Sequence, residues 1–251
     1  MTGYVSGLFI LLVGLALAPA PRPPAGPVGQ NPPLTAPKVL DISEAQGAID
    51  PAVMATADVS AVVLRASHGT QVDSQVLAYA EQLEAAGIPV AALYHEYDPA
   101  LPWGEQYEAL AAVMVETGVQ RAVVRLTGAG LSGTTAAGVG AFMARLTSEF
   151  PLPLTYRHMV QTGAVTWQAL GRPAWGVWYE LWIVEPGIVS AAPGVPAPWK
   201  SWRLWQYTTT ADGPANGVGS ATVSVSRFNG SSAQFEGWVA LGIVYGGGGG
   251  R

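Results

Sequence analysis

From Val39 onward the chain alternates short apolar runs with segments of helical period, and this alternation limits the folds open to it. Val39-Leu40-Asp41-Ile42 and Ala61-Val62-Val63-Leu64-Arg65-Ala66 read as strands, the second apolar on both faces. Ser74 to Ala86 reads as a helix with Val76, Leu77, Ala80 and Leu83 on one side and Gly87 as its stop. Pro89 to Tyr94 follows as a third strand, Gly104 to Thr117 as a second helix and Gln120 to Leu126 as a fourth strand. Thr135 to Phe150 is a third helix, with Val139, Phe142, Met143 and Leu146 inward, and Leu152 to Tyr156 a fifth strand. Units of this size build a parallel sheet with right-handed crossovers. The pattern then weakens. Val177 to Val184, Trp202 to Tyr207 and Thr222 to Phe228 look like strands with no full-length helix between them. The expected fold class is α/β: an irregular (β/α) barrel, TIM-barrel-like, whose later strands are joined by loops. In such barrels the working site lies at the carboxyl ends of the strands.

Composition narrows the function. The chain is 49% apolar and 12% charged, enough to bury a core, and its net charge of -5 comes with no basic run. A nucleic-acid groove is therefore not expected. There is no cysteine, which removes disulfides and thiolate metal sites. His68, His95 and His158 lie far apart without metal-ligand spacing, so neither a metal nor a cofactor is expected.

The termini differ from the body. Val5 to Ala20 is an apolar run, shorter than the roughly 18 residues of a confident membrane span. Ala16-Leu17-Ala18 has the small-x-small form of a signal cleavage site, yet Pro19 follows it and the first seven residues carry no Lys or Arg. A cleaved signal and an uncleaved anchor both remain open. Either places the body outside the cytoplasmic membrane, with membrane contact only through this segment. Pro19 to Pro37 is proline-dense and favours an extended polyproline II spacer. The expected division is a signal or anchor over 1–20, a proline-rich linker over 21–37, a barrel domain over 38–245 and a disordered glycine tail over 246–251.

Six short pieces, in order from Asp41 to Gly230, carry a resemblance. They are Asp41-Ile42-Ser43-Glu44-Ala45-Gln46-Gly47 with Ile49-Asp50, Arg65-Ala66-Ser67-His68-Gly69-Thr70 with Asp73, and Ala86-Gly87-Ile88-Pro89-Val90 leading to Tyr94-His95. Leu181-Trp182-Ile183-Val184 follows, then Trp202-Arg203-Leu204-Trp205-Gln206-Tyr207-Thr208 and Ser226-Arg227-Phe228-Asn229-Gly230. In this order and spacing the chain resembles the lysozymes of glycoside hydrolase family 25. The resemblance implies a barrel fold, descent from a peptidoglycan muramidase, and peptidoglycan or a related envelope glycan as partner.

It also exposes a loss. Glycosidic cleavage normally needs two carboxyl groups, one to protonate the leaving oxygen and one to stabilise or attack the sugar carbon. The family's fourth strand ends in an Asp-x-Glu pair whose Glu is the proton donor. The matching residues here are Arg125 and Thr127, and no Asp or Glu occurs from Thr117 through Ser148. A further family Asp, near the C-terminus, is matched by Ser224, and no carboxylate occurs between Gly213 and Phe235. Of the acidic set only Asp41 remains.

Other carboxylates could stand in. Tyr94 matches an inward-facing family tyrosine, and alternation puts Glu96 on the same face if the strand continues. Asp41, Glu96 and Arg125 would then meet at the barrel mouth, either as a rebuilt acid pair or as an ion-paired cluster in a silent site. The second reading is favoured, because a neighbouring arginine keeps a carboxyl charged, the opposite of what a general acid needs. Arg125 would also suit a carboxylate ligand. Tyr94, Trp182, Trp205 and Tyr207 could form a sugar-stacking floor or simply be core. His95 could serve as an acid or base but reads better as a satisfied core histidine, Glu180 and Glu185 read as an exposed rim, and Trp103, Trp199 and Trp202 as loop residues within reach of a partner. Three functions stay open: an exported pseudoenzyme that binds envelope glycan without cutting it, an active muramidase with Asp41 and Glu96 as relocated acids, and a structural envelope or virion component.

Overall fold

A computed structural model describes residues 36–128, 130–153, 155–187 and 192–240. The expected signal or anchor, the linker up to residue 35, the last residues of the expected domain and the glycine tail lie outside the described residues. Among the described residues no helix is long and apolar enough to cross a membrane.

The strands are β1 (Lys38–Ile42), β2 (Val59–His68), β3 (Gln71–Val72), β4 (Val90–Glu96), β5 (Ala122–Arg125), β6 (Met159–Thr162), β7 (Glu180–Val184), β8 (Leu204–Asp212) and β9 (Thr222–Phe228). Eight of them close into a barrel in the order β1-β2-β4-β5-β6-β7-β8-β9, with β9 returning to β1. Neighbours are parallel from β1 round to β8. Strand β9 runs antiparallel to both β8 and β1, and β3 folds back on the end of β2 as a short hairpin. The fold is thus the irregular α/β barrel that the alternation predicts.

Alternation within each strand sets the two layers. Val39, Val63, Tyr94, Val123, Met159, Trp182, Leu204 and Phe228 fill the interior. Their neighbours Leu40, Leu64, Leu93, Val124, Val160, Leu181 and Trp205 pack outward against the helices. Burial on both faces is why these strands read as almost continuous apolar runs.

The helices are α1 (Pro51–Thr56), α2 (Val76–Ala85), α3 (Trp103–Thr117), α4 (Thr135–Glu149), α5 (Ala164–Ala169) and α6 (Ser232–Val239). Gly118 ends α3 at φ 71°, the left-handed conformation that glycine adopts without a Cβ clash. Helix α6 begins with a reciprocal Ser231–Gln234 capping box and carries Phe235 and Trp238 beneath Phe228, with ring centroids 5.1 and 5.4 Å away. This closes the barrel at the amino ends of its strands.

Two strand assignments need correction. Leu152 to Tyr156 is not a strand where it is described; the barrel uses Met159–Thr162 instead. Pro153 has no N–H to give to a neighbouring strand, so an interior barrel position is closed to it. Val177 and Trp178 belong to a 3-10 turn that follows Pro173, and β7 begins only at Glu180.

Candidate functional site

The carboxyl ends of the strands bring polar side chains to one rim. In register, Glu96 on β4 lies beside Arg125 on β5, and Arg125 beside Gln161 on β6. Asp41 on β1 lies beside Val63 on β2 and opposite Ser224 on β9. Gln206 on β8 sits opposite Ser226 of β9. Period-two alternation turns Tyr94, Glu96, Arg125 and Gln206 into the mouth.

Arg125 occupies the centre. Its Nη2 donates to Asp41 Oδ2, its Nη1 to Glu96 Oε1 at 3.2 Å, and its Nε to Gln161 Oε1. Beneath it lies Tyr94, with the guanidinium carbon 3.9 Å from the ring centroid, a cation–π contact. Burial works against the Arg125 charge, but the facing Tyr94, Asp41 and Glu96 outweigh it and raise its pKa above the ordinary guanidinium value. Burial likewise pushes the Tyr94 hydroxyl up to about 12.

A second arginine continues the cluster. Arg65 on β2 donates Nε to Asp73 at 2.8 Å, Nη2 to Glu44 at 3.0 Å and Nη1 to Glu96 Oε2 at 3.4 Å. Glu96 therefore bridges two guanidinium groups, one through each oxygen. Asp41 is also fully engaged: Gln206 Nε2 lies 3.1 Å from Oδ1 and 3.3 Å from Oδ2, the oxygen that faces Arg125. Every carboxyl oxygen of Asp41 and Glu96 accepts a hydrogen bond, and three of the four face a guanidinium group. The arrangement offers fixed charge and N–H donors.

The sequence-derived residues divide. Asp41, Tyr94, Glu96 and Arg125 come together. Trp182 lies inside the barrel with no exposed surface, its Nε1 donating to Ser226 Oγ at 3.0 Å, so it has no face to offer a sugar. Trp205 and Tyr207 take the core reading: both lie on the outward face of β8, where Trp205 Nε1 donates to the Glu185 carbonyl at 3.0 Å and the two rings meet edge-on. Gln206 between them is the residue that reaches the mouth, since one step along a strand reverses the face. The expected aromatic floor thus shrinks to Tyr94, which Arg125 covers.

Thr127 is exposed just beyond β5. His95 is buried, stacks on Phe142 and bonds Ser67 Oγ and Gln106 Oε1 through its two nitrogens; burial pulls its pKa down to about 4. Glu180 is not on an exposed rim: it pairs with Arg203 at 2.7 Å near the closed end. Trp199 and Trp202 are buried, whereas Trp178 is exposed. The residues missed are Gln161, Gln206, Arg65, Asp73 and Glu44 as members of one network. The available signal was a polar residue on the inward face of an apolar strand. Among the described residues no group of three or more His, Asp or Glu side chains is arranged to hold a metal ion.

No family model matches the sequence, and no curated protein matches it closely. Solved structures do. A bacterial lysozyme from Streptomyces coelicolor is 25% identical with a TM-score of 0.68, covering 83% of this chain and 98% of its own. A family 25 glycosyl hydrolase from Bacillus anthracis is 14% identical with a TM-score of 0.68, covering 84% of this chain and 97% of its own. A family GH25 lysozyme from Aspergillus fumigatus is 19% identical with a TM-score of 0.66, covering 82% and 99%.

Proposed function

From a barrel of glycoside hydrolase family 25, lysozyme-like lineage, we propose a protein that binds peptidoglycan or a related envelope glycan and does not cut it. The observation that carries this reading is Arg125 in the mouth, drawing Asp41 and Glu96 to itself. Hydrolysis needs one protonated and one charged carboxyl on either side of the bond. Here Arg125 lies between the two carboxyl groups and donates to both.

The location follows from the N-terminal sequence. An apolar run and a proline-rich stretch precede the barrel, which supports a place outside the cytoplasmic membrane, where this glycan lies.

Retention on purified peptidoglycan tests the binding half. The full chain should co-sediment with it above the level of an unrelated barrel of similar charge. No excess retention would end the glycan-binding reading and favour a structural role for the barrel surface.

A further inference from the structure

We propose that Arg65 and Arg125 form a seat for the carboxylate of an external ligand, and that Glu96 is its built-in, displaceable occupant. The inference rests on the reading of the mouth as a binding site.

The geometry is that of a carboxylate held by two cations. Arg125 Nη1 takes one oxygen of Glu96 and Arg65 Nη1 takes the other. These contacts, at 3.2 and 3.4 Å, are longer than the Arg65 pairs with Asp73 and Glu44, at 2.8 and 3.0 Å. Glu96 is the more accessible of the two carboxylates on Arg125, while Glu44 on Arg65 is more exposed still at 45%. The Glu96 side chain is 24% exposed, against 3% for Asp41 and 1% for Asp73.

The seat outlasts the departure of Glu96. Arg125 keeps Asp41, Gln161 and the Tyr94 ring; Arg65 keeps Asp73 and Glu44. The two Nη1 groups then stay aimed at the place of one carboxylate, held chiefly by the buried Asp41 and Asp73. Such preorganisation limits what a ligand must order on binding. Exchanging one carboxylate for another keeps the charge seated between the arginines unchanged, so the ligand class is a carboxylate on a flexible arm. A neutral sugar hydroxyl cannot replace the charge that Glu96 supplies.

Titration of the full chain with propionate at constant ionic strength, followed by NMR, tests the idea. Propionamide is the neutral control. The wild type should show weak, saturable binding, and Glu96→Ala about tenfold tighter binding, because the occupant no longer competes. Glu96→Gln, which keeps the volume, should tighten binding in the same direction and serves if the alanine variant does not fold. Glu81→Gln removes the same charge from an exposed position on α2 and should leave affinity unchanged. Arg65→Gln should abolish binding. Equal affinity in the wild type, Glu96→Ala and Glu81→Gln, or no saturable binding in any folded protein, overturns the seat. Peptidoglycan retention is measured apart. Retention without propionate binding breaks the seat alone, and propionate binding without retention breaks the glycan reading alone.

Discussion

Two arginines on the inward face of one strand register, Arg121 and Arg125, stand at opposite ends of the barrel and are held in opposite ways. Arg121 is fully buried at the closed end, where Nη1 donates to the Trp238 carbonyl while Nε and Nη2 have no hydrogen-bond partner. Its guanidinium carbon lies 4.6 Å from the Trp238 ring centroid and 5.4 Å from that of Tyr156, and burial lowers its pKa to about 10. Arg125 has an acceptor on each of its three nitrogens, and its pKa is raised. One charge is sealed by aromatic packing, the other held by groups at the solvent edge. Only the second has a partly exposed partner, Glu96, so the proposed exchange of carboxylates belongs to the mouth.

The contrast can be broken from either end. The largest loss should follow Trp238→Ala, which empties a fully buried position under Phe228 and exposes Arg121; chemical denaturation should report about 4 kcal/mol. Little or no loss would mean that α6 does not seal the barrel. Arg125→Ala should cost about 3 kcal/mol, because Asp41 stays buried without its cation. A cost near zero would show the mouth cluster to be decorative.

Acid should weaken the fold more gradually. Burial holds His95 and His158 at about 4 when folded, against about 6.5 when unfolded. The unfolded chain therefore binds more protons between these values. Stability should be level above about pH 6.5 and decline as the pH falls from there toward 4. His158, whose Nδ1 accepts the Ala122 N–H at 3.1 Å, must lose that bond on protonation. Melting curves of His158→Gln should show a shallower decline, and an unchanged slope would assign the effect elsewhere.

Arg121→Met should be neutral or stabilising by about 1 kcal/mol, since it removes two unpaired N–H groups and leaves an apolar chain of similar length. A clear loss would mean that the cation–π contacts outweigh the desolvation of the charge. The smallest effect belongs to the mouth rim. Glu44→Gln should leave the denaturation midpoint unchanged, because Glu44 is solvated and Arg65 retains Asp73.

The barrel was readable wherever a strand is buried on both faces. Ala61 to Ala66, Pro89 to Tyr94 and Gln120 to Leu126 stand out because such strands carry no polar half. Met159-Val160-Gln161-Thr162 did not, since Gln161 and Thr162 dilute the apolar signal, and nearby Leu152 drew the assignment instead. Helix α6 was missed although Ser231 and Gln234 spell its cap. In the mouth, Asp41, Tyr94 and Arg125 followed from the family resemblance, and alternation from Tyr94 added Glu96. Gln161 and Arg65 depend on which strands lie side by side, and register across a barrel is not written locally. For Trp205 and Tyr207 the sequence left sugar floor and core open, and the phase of β8 places both on the outward, core-packed face.

Release of new reducing ends from purified peptidoglycan by the full-length wild type, followed from pH 4 to pH 8, tests the central claim most directly. With both carboxylates held by Arg125, release should stay at the level of the enzyme-free blank across the range. Release above that blank, lost in Glu96→Gln, would contradict it.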